Sequence, residues 1–207
     1  MELIKKYFPY ITEQQTSMFA ALFDLYREWN EKINVISRKD IDHIYLHHIL
    51  HSLSIAKFTR FTPDTEIIDV GTGGGFPAIP LAIMFPECRF TLLDSIAKKI
   101  RVASEVSKAI GLDNCIFENR RMEEVKGKYD FVISRAALRL NDLVRVSQKN
   151  IAKHQRNALP NGIIALKGGD LAEETKEFPH TQIQDISEYF QEDFFETKKI
   201  IYLPITN

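Results

Sequence analysis

The chain has 207 residues, a formal net charge of −1 and 44% apolar residues. That is enough for one α/β domain with an extension and a packed core, and it excludes wholesale disorder. No apolar run approaches the ~18 residues that cross a membrane, Met1–Lys6 lacks the apolar core of a secretory signal, and the two cysteines, Cys88 and Cys115, make neither a disulfide framework nor a zinc motif, so a reduced, cytoplasmic chain is expected.

The elements follow in order. Thr12-Glu13-Gln14-Gln15 has the form of a capping box, and Met18, Leu22, Leu25, Trp29 and Ile33 then mark one face of an amphipathic helix. A second helix is expected from Ile41 to about Phe58, with Ile41, Ile44, Ile49, Leu53 and Ala56 inward, followed by a linker around Pro63. Residues 1–60 thus read as a helical extension packed on a main domain of residues 61–207. From Glu66 strands and helices alternate: strands at 66–70, 89–93, 115–118, 130–134 and 163–166, with helices beginning at Pro77, after Ser95, from Asn141 to about His154, and from Asp170 to Phe178. Segments 183–187 and 198–203 look like a closing strand pair. The alternation predicts a mostly parallel sheet of seven strands covered by helices, with an antiparallel last strand.

The chemistry concentrates in Ile67–Asp94. An apolar strand runs into Asp69-Val70-Gly71-Thr72-Gly73-Gly74-Gly75-Phe76, and a second strand ends at Asp94. Strand, glycine loop, helix and distant acid form a nucleotide-cofactor site in which the acid receives ribose hydroxyls. Acid-x-Gly-x-Gly-x-Gly is the first motif of S-adenosyl-L-methionine (SAM) methyltransferases, and Asp69 suits a cationic methionyl end better than a pyrophosphate. A dinucleotide fingerprint fits only in the register Gly73, Gly75, Ala78, which leaves an NAD-type oxidoreductase as the competing reading; a non-catalytic SAM-binding factor is a third.

Charge is uneven. Seven basic residues face one acid, Asp142, between Arg135 and Gly169, and nine acids face three lysines between Asp170 and Lys199. Such segregation gives a neutral protein a local basic face. Arg145, Lys149, Lys153 and Arg156 share one face if the 141–154 helix persists. His43, His47 and His51 repeat at four-residue spacing beside His48, but no further ligand converges in sequence, so no metal site is expected.

The run Gly71–Ala82, Leu92-Leu93-Asp94-Ser95 with Lys98-Lys99, Ser134-Arg135-Ala136 and Lys167-Gly168 resembles the RsmG (GidB) family of bacterial methyltransferases. Trp29-Asn30, Ile33-Asn34, His48-Ile49-Leu50 and Ser52-Leu53 resemble its N-terminal part. This chain departs at Ala78, where the family usually has glycine, and at His47 and His51, where it usually has arginine and aspartate. The resemblance implies a Rossmann-like class I SAM-dependent fold and methylation of guanine N7 in 16S rRNA of the small ribosomal subunit. It implies a cofactor pocket of Asp69, Gly71, Gly73, Gly75, Phe76 and Asp94, with Met122 and Glu123 beside the adenine. Arg135 and Arg121 stand at the mouth between cofactor and substrate, and Lys98, Lys99, Arg139 and Lys167 are the RNA contacts. The partner expected is 16S rRNA or the small subunit, with the protein a monomer that needs neither metal nor membrane. Guanine N7 has a lone pair and no proton to lose, which agrees with the lack of a general-base motif after the fourth strand.

Overall fold

A computed structural model describes residues 1–135 and 137–205. Seven strands form one sheet in the order β3-β2-β1-β4-β5-β7-β6. β1 (Glu66–Val70), β2 (Arg89–Leu93), β3 (Cys115–Glu118), β4 (Phe131–Arg135) and β5 (Gly162–Gly168) are parallel. β7 (Lys198–Pro204) runs antiparallel to both β5 and β6 (Gln182–Asp185), as the closing pair predicts. Ile67, Ile68, Phe131, Val132, Ile133, Ile163 and Ile164 are fully buried, because central strands carry apolar side chains toward both helical layers. The order of strands reverses at β1/β4, the switch point where such sheets leave a crevice beyond the strand ends.

The N-terminal helices bury their faces in the same apolar cluster as one side of the sheet. α1 (Glu2–Tyr7) is short. α2 (Glu13–Lys32) starts with the expected capping box, Thr12 accepting from the Gln15 N–H at 3.1 Å and the Gln15 side chain from the Thr12 N–H at 2.9 Å. Its innermost line is Phe19, Leu22, Tyr26 and Asn30; Met18, Leu25 and Trp29 flank it half-buried. The face is turned by one residue from the aliphatic stripe because Tyr26 and Asn30 can go inside with their polar ends satisfied. The Tyr26 hydroxyl donates to the Gly74 carbonyl at 2.7 Å, and Asn30 donates to Ile36 O while accepting from the Val35 and Ile36 N–H groups.

The second helix is not uniform. A 3₁₀ turn at Ile41–His43 leads into a π-helical stretch at Ile44–Leu50, and only α3 (His51–Phe58) is regular. Ile44, Ile49 and Leu53 are buried as expected, with Ile41 and Ala56 half-buried. After β1 come α4 (Ala78–Met84) and, after β2, α5 (Ala97–Ala109), whose start is fixed by the Asp94 carboxylate rather than by Ser95. The expected helix from 141 to 154 is shorter: α6 covers Leu140–Ser147, a 3₁₀ turn follows, and Ile151 pairs with Tyr129. The Asn150 amide, donating to Val125 O and Gly127 O, pins the chain there. Arg145, Lys149, Lys153 and Arg156 therefore do not share a helix face. Lys149 reaches the Glu123 carbonyl, and Arg156 pairs with buried Asp130 at 3.0 Å. α7 is a single turn, Ala172–Thr175.

Tyr26→Phe tests the seam between α2 and the glycine loop. It strands the Gly74 carbonyl and should cost about 1–3 kcal/mol in denaturant unfolding, with little change in the slope.

Candidate functional site

The glycine loop is folded around one carboxylate. Asp69, fully buried near the end of β1, accepts from the Thr72 hydroxyl at 2.7 Å and from the Ala78 N–H at 3.1 Å, both on Oδ2. Oδ1 has no hydrogen-bond partner. Burial pushes its pKa up to about 7, against the pull of those two bonds and of Arg135. Gly71, Gly73 and Gly75 all have positive φ, and a Cβ on Gly71 would stand 2.5 Å from the Ala137 Cβ, so the chain passes there with no room to spare.

Asp94, at the end of β2, closes the loop from the other side. Its Oδ2 accepts from the Gly73 N–H at 2.9 Å and Oδ1 from the Ile96 N–H at 2.8 Å. An ionised carboxylate offers about four acceptor positions, so capacity remains toward the cavity that Asp94 lines. That cavity measures about 700 Å³ and extends from Gly71 and Asp94 past Ile96 and Lys99 to Arg121, Met122, Glu123 and Arg135. Its size suits a nucleoside-bearing ligand. Apolar walls from Val70, Leu93, Met122 and Leu138 can hold a flat base, and the acid can take paired hydroxyls.

The expected residues separate into two groups. Gly71, Asp94, Met122, Glu123, Arg121 and Arg135 line this cavity. Asp69, Gly73, Gly75 and Phe76 do not; they build the loop behind it. Phe76 is buried, its ring 4.8 Å from Tyr26, 5.3 Å from His48 and 5.1 Å from the Arg135 guanidinium. Lys99 lines the cavity, while Lys98 is exposed beside it.

Arg135, at the end of β4, also borders a second cavity of about 450 Å³ with His51, Arg139, Lys167 and Lys198. Two openings, one carrying acids and bases together and one lined by bases without an acid, thus meet at one guanidinium. Arg139 is exposed. Lys167 is more constrained than its position in sequence implies: it pairs with Glu174 at 2.6 Å and donates to the Leu138 carbonyl, bracing the loop after β4. Burial lowers the Arg135 pKa to about 10, which leaves it charged at neutral pH.

Among the described residues no group of three or more histidine, cysteine or acidic side chains is placed to hold a metal ion. His47 and His48 both reach Asp40, at 2.5 and 2.6 Å, and His51 is buried with its Nε2 unpartnered. Tyr26, Asp40 and His48 stand behind the site without any pattern of their own in the sequence; only the family-like His48-Ile49-Leu50 segment marks one of them. The geometry also decides between the cofactor registers. A pyrophosphate needs free N–H groups at the start of the helix after the loop. Here Pro77 has none and the Ala78 N–H is taken by Asp69.

Comparison with known proteins agrees. Residues 15–200 match the GidB family model, described as rRNA small subunit methyltransferase G. The chain is 59% identical to the ribosomal RNA small subunit methyltransferase G of Phocaeicola vulgatus over 207 residues, covering 100% of this chain and 99% of that one. It is likewise 59% identical to the protein of that name from Bacteroides thetaiotaomicron, covering 99% and 100%. Among solved structures, a SAM-dependent methyltransferase from Aquifex aeolicus superposes with a TM-score of 0.55 at 14% identity, covering 74% of this chain and 89% of that one; this likeness concerns the fold.

Asp69 makes a signed prediction. Its folded pKa lies above that of an unfolded aspartate, so its contribution to stability is present at low pH and lost as pH rises through about 7. Measured against Asp69→Asn in thermal unfolding without ligand, the parent should lose ground by a few kcal/mol between about pH 4 and pH 8. A difference that does not vary with pH would mean that Asp69 is ionised throughout.

Proposed function

The chain belongs to the family described as rRNA small subunit methyltransferase G, and from that premise we propose that it transfers the methyl group of SAM to N7 of a guanine in 16S rRNA. The observation that carries this reading is the meeting of two cavities at Arg135: a nucleoside-sized one that holds Asp94, Met122 and Glu123, and a second one lined by Arg139, Lys167 and Lys198.

The residues present fit SAM. Asp94 would receive the ribose hydroxyls, Met122 and its apolar neighbours would take the faces of the adenine, and Glu123 would serve its amino edge. Gly71, where a Cβ would collide with Ala137, lets the backbone approach the methionyl portion. Asp94, which lines the cavity, offsets the positive charge of that portion. When bound, SAM supplies an electrophilic methyl on a sulfonium.

Catalysis by this chain is then mainly a matter of placement. Arg135 holds carbonyl or phosphate oxygens of the acceptor nucleotide so that its ring nitrogen lies in line with the methyl, with Arg121 at the same mouth. No base is needed at N7, and the nearby histidines are poor ones: His48 has its Nδ1 lone pair engaged by Arg135 at 3.0 Å, and burial holds His51 down to about 3. Arg139 and Lys98, with Lys99 at the rim, neutralise phosphates of the flanking RNA, with Lys167 at the cavity edge. Whole rRNA or the small subunit is the partner, and we take the protein to act in the cytoplasm as a monomer; among the described residues no helix is long and apolar enough to cross a membrane.

Labelled SAM offered in parallel with naked 16S rRNA, small subunits and tRNA should deliver label to N7 of a guanine in one of the first two. Label on an amine, a C5 carbon or a 2′-hydroxyl would overturn the assignment. Asp94→Asn should weaken SAM binding by about tenfold to a hundredfold, as loss of charged hydrogen bonds predicts, measured by calorimetry. Arg135→Ala should reduce transfer far more than it reduces SAM affinity.

A further inference from the structure

Arg135 enters the site from β4, but what fixes its guanidinium comes from the N-terminal helices. Its Nη2 donates to His48 Nδ1 at 3.0 Å, its Nη1 reaches the His47 carbonyl at 3.4 Å, and its charged plane lies 5.1 Å from the centre of the Phe76 ring. Asp69 and Asp40 act on it through space rather than by contact. A desolvated guanidinium held in this way takes its direction from the neutral acceptor that meets it.

That acceptor is itself fixed. Arginine can only donate, so His48 Nδ1 must present its lone pair. Burial and the charge of Arg135 lower the His48 pKa to about 4, so the ring is neutral and its one proton sits on Nε2. The Nε2–H donates to Asp40 Oδ2 at 2.6 Å. Asp40 Oδ1 takes the Nδ1–H of His47 at 2.5 Å, and those two bonds hold the Asp40 carboxyl below its usual range although burial alone would raise it. Consecutive residues on a regular helix diverge by about 100°. The π-helical stretch Ile44–Leu50 is where both rings turn to one carboxylate.

We propose that Asp40 and His48 are positioning residues for the reaction: Asp40 sets the tautomer of His48, and His48 aims Arg135 across the opening between the cofactor cavity and the cationic cavity. This rests on the reading of Arg135 as the group that holds the acceptor nucleotide. The arrangement is a chain of directed donors, Arg135 to His48 to Asp40, in which each bond can be made in one sense only. Loss of the middle member leaves the guanidinium in place on Phe76 but free to rotate its donors away from the acceptor.

The test compares His48→Leu with His48→Gln. Glutamine can accept from Arg135 through its carbonyl and donate to Asp40 through its amide; leucine can do neither. At saturating SAM, His48→Leu should lower kcat by about tenfold or more with SAM affinity within about threefold of the parent, and His48→Gln should recover most of that loss. Equal activity of the two variants, or a loss that tracks melting temperature and SAM affinity, would reduce His48 to a packing residue and overturn the proposal. Asp40→Ala, on a partly exposed loop side chain, provides the second route if His48→Leu does not fold: it should lower kcat by about threefold or more at unchanged SAM affinity, and unaltered kcat would count against the relay. Nitrogen-15 shifts of the His48 ring in the parent separate this idea from the proposed function. A bare Nδ1 with a protonated Nε2 is required; the opposite tautomer sinks the relay whatever RNA is methylated. The required tautomer in a protein that methylates no RNA would instead fail the substrate assignment.

Discussion

A single buried carboxylate organises this molecule. Asp69 sits where burial raises its pKa to about 7, and its two accepted hydrogen bonds come from opposite ends of the glycine loop, Thr72 and Ala78. The loop therefore cannot open without stranding a buried acceptor, a cost of several kcal/mol for a charged group. Once it is closed, everything else acquires its place. Gly73 meets Asp94, α4 starts with its first donor satisfied, and Phe76 is driven inward to become the platform beneath Arg135. A helix start in such loops commonly serves an anion; here an internal acid has taken that role, which leaves a site suited to a cationic ligand.

The same constraint gives the N-terminal helices a purpose beyond covering the sheet. Several of their contacts fall on the glycine loop and on Arg135: Tyr26 on Gly74, His48 on Arg135, and the His48 and Tyr26 rings against Phe76. The sheet positions functional groups at strand ends, but a strand end leaves a long arginine side chain many rotamers. The helical layer removes that freedom, trading the entropy of a mobile side chain in each catalytic cycle for order established once on folding. Treating residues 1–60 as an extension thus describes its place in the chain, while its polar contacts make it part of the wall of the site.

How much of this was legible in the sequence follows from what each feature leaves in the residue pattern. The parallel strands are runs of β-branched and aromatic residues between turn signals, and Asp94 falls at the end of one of them, so both the fold and the acid could be read directly. The helix expected over 141–154 stops early because basic residues at helical spacing are equally compatible with a turn, and its true stop, the amide of Asn150 on two carbonyls, has no periodicity. The inward line of α2 lies one residue away from its aliphatic stripe. Tyr26 and Asn30 lie deeper, where satisfied hydrogen bonds make polar burial cheap. The π-helical stretch changes backbone pairing without altering composition, so the convergence of His47 and His48 on Asp40 left no trace beyond a cluster of histidines at the wrong spacing for it. Phe76 and Gly75, expected to shape the cofactor pocket, do not line the cavity, because a glycine motif reports the backbone path and not which atoms face the opening.

The placement of charge bears on the proposed reaction. A positively charged arginine beside a cavity for a sulfonium would ordinarily weaken binding. Here Asp94 and Glu123 line the cofactor cavity beside Lys99 and Arg121, and Arg135 borders both that cavity and the one that also holds Arg139 and Lys198. The guanidinium lies against the Phe76 ring and donates to His48 at the border of the two cavities. In the proposed reaction, methylation at N7 would convert a neutral purine into a cation next to that same guanidinium. The electrostatic attraction that draws RNA in through its phosphates is thereby opposed, after transfer, by repulsion at the modified base. Turnover benefits from an asymmetry that a neutral residue at position 135 would not provide.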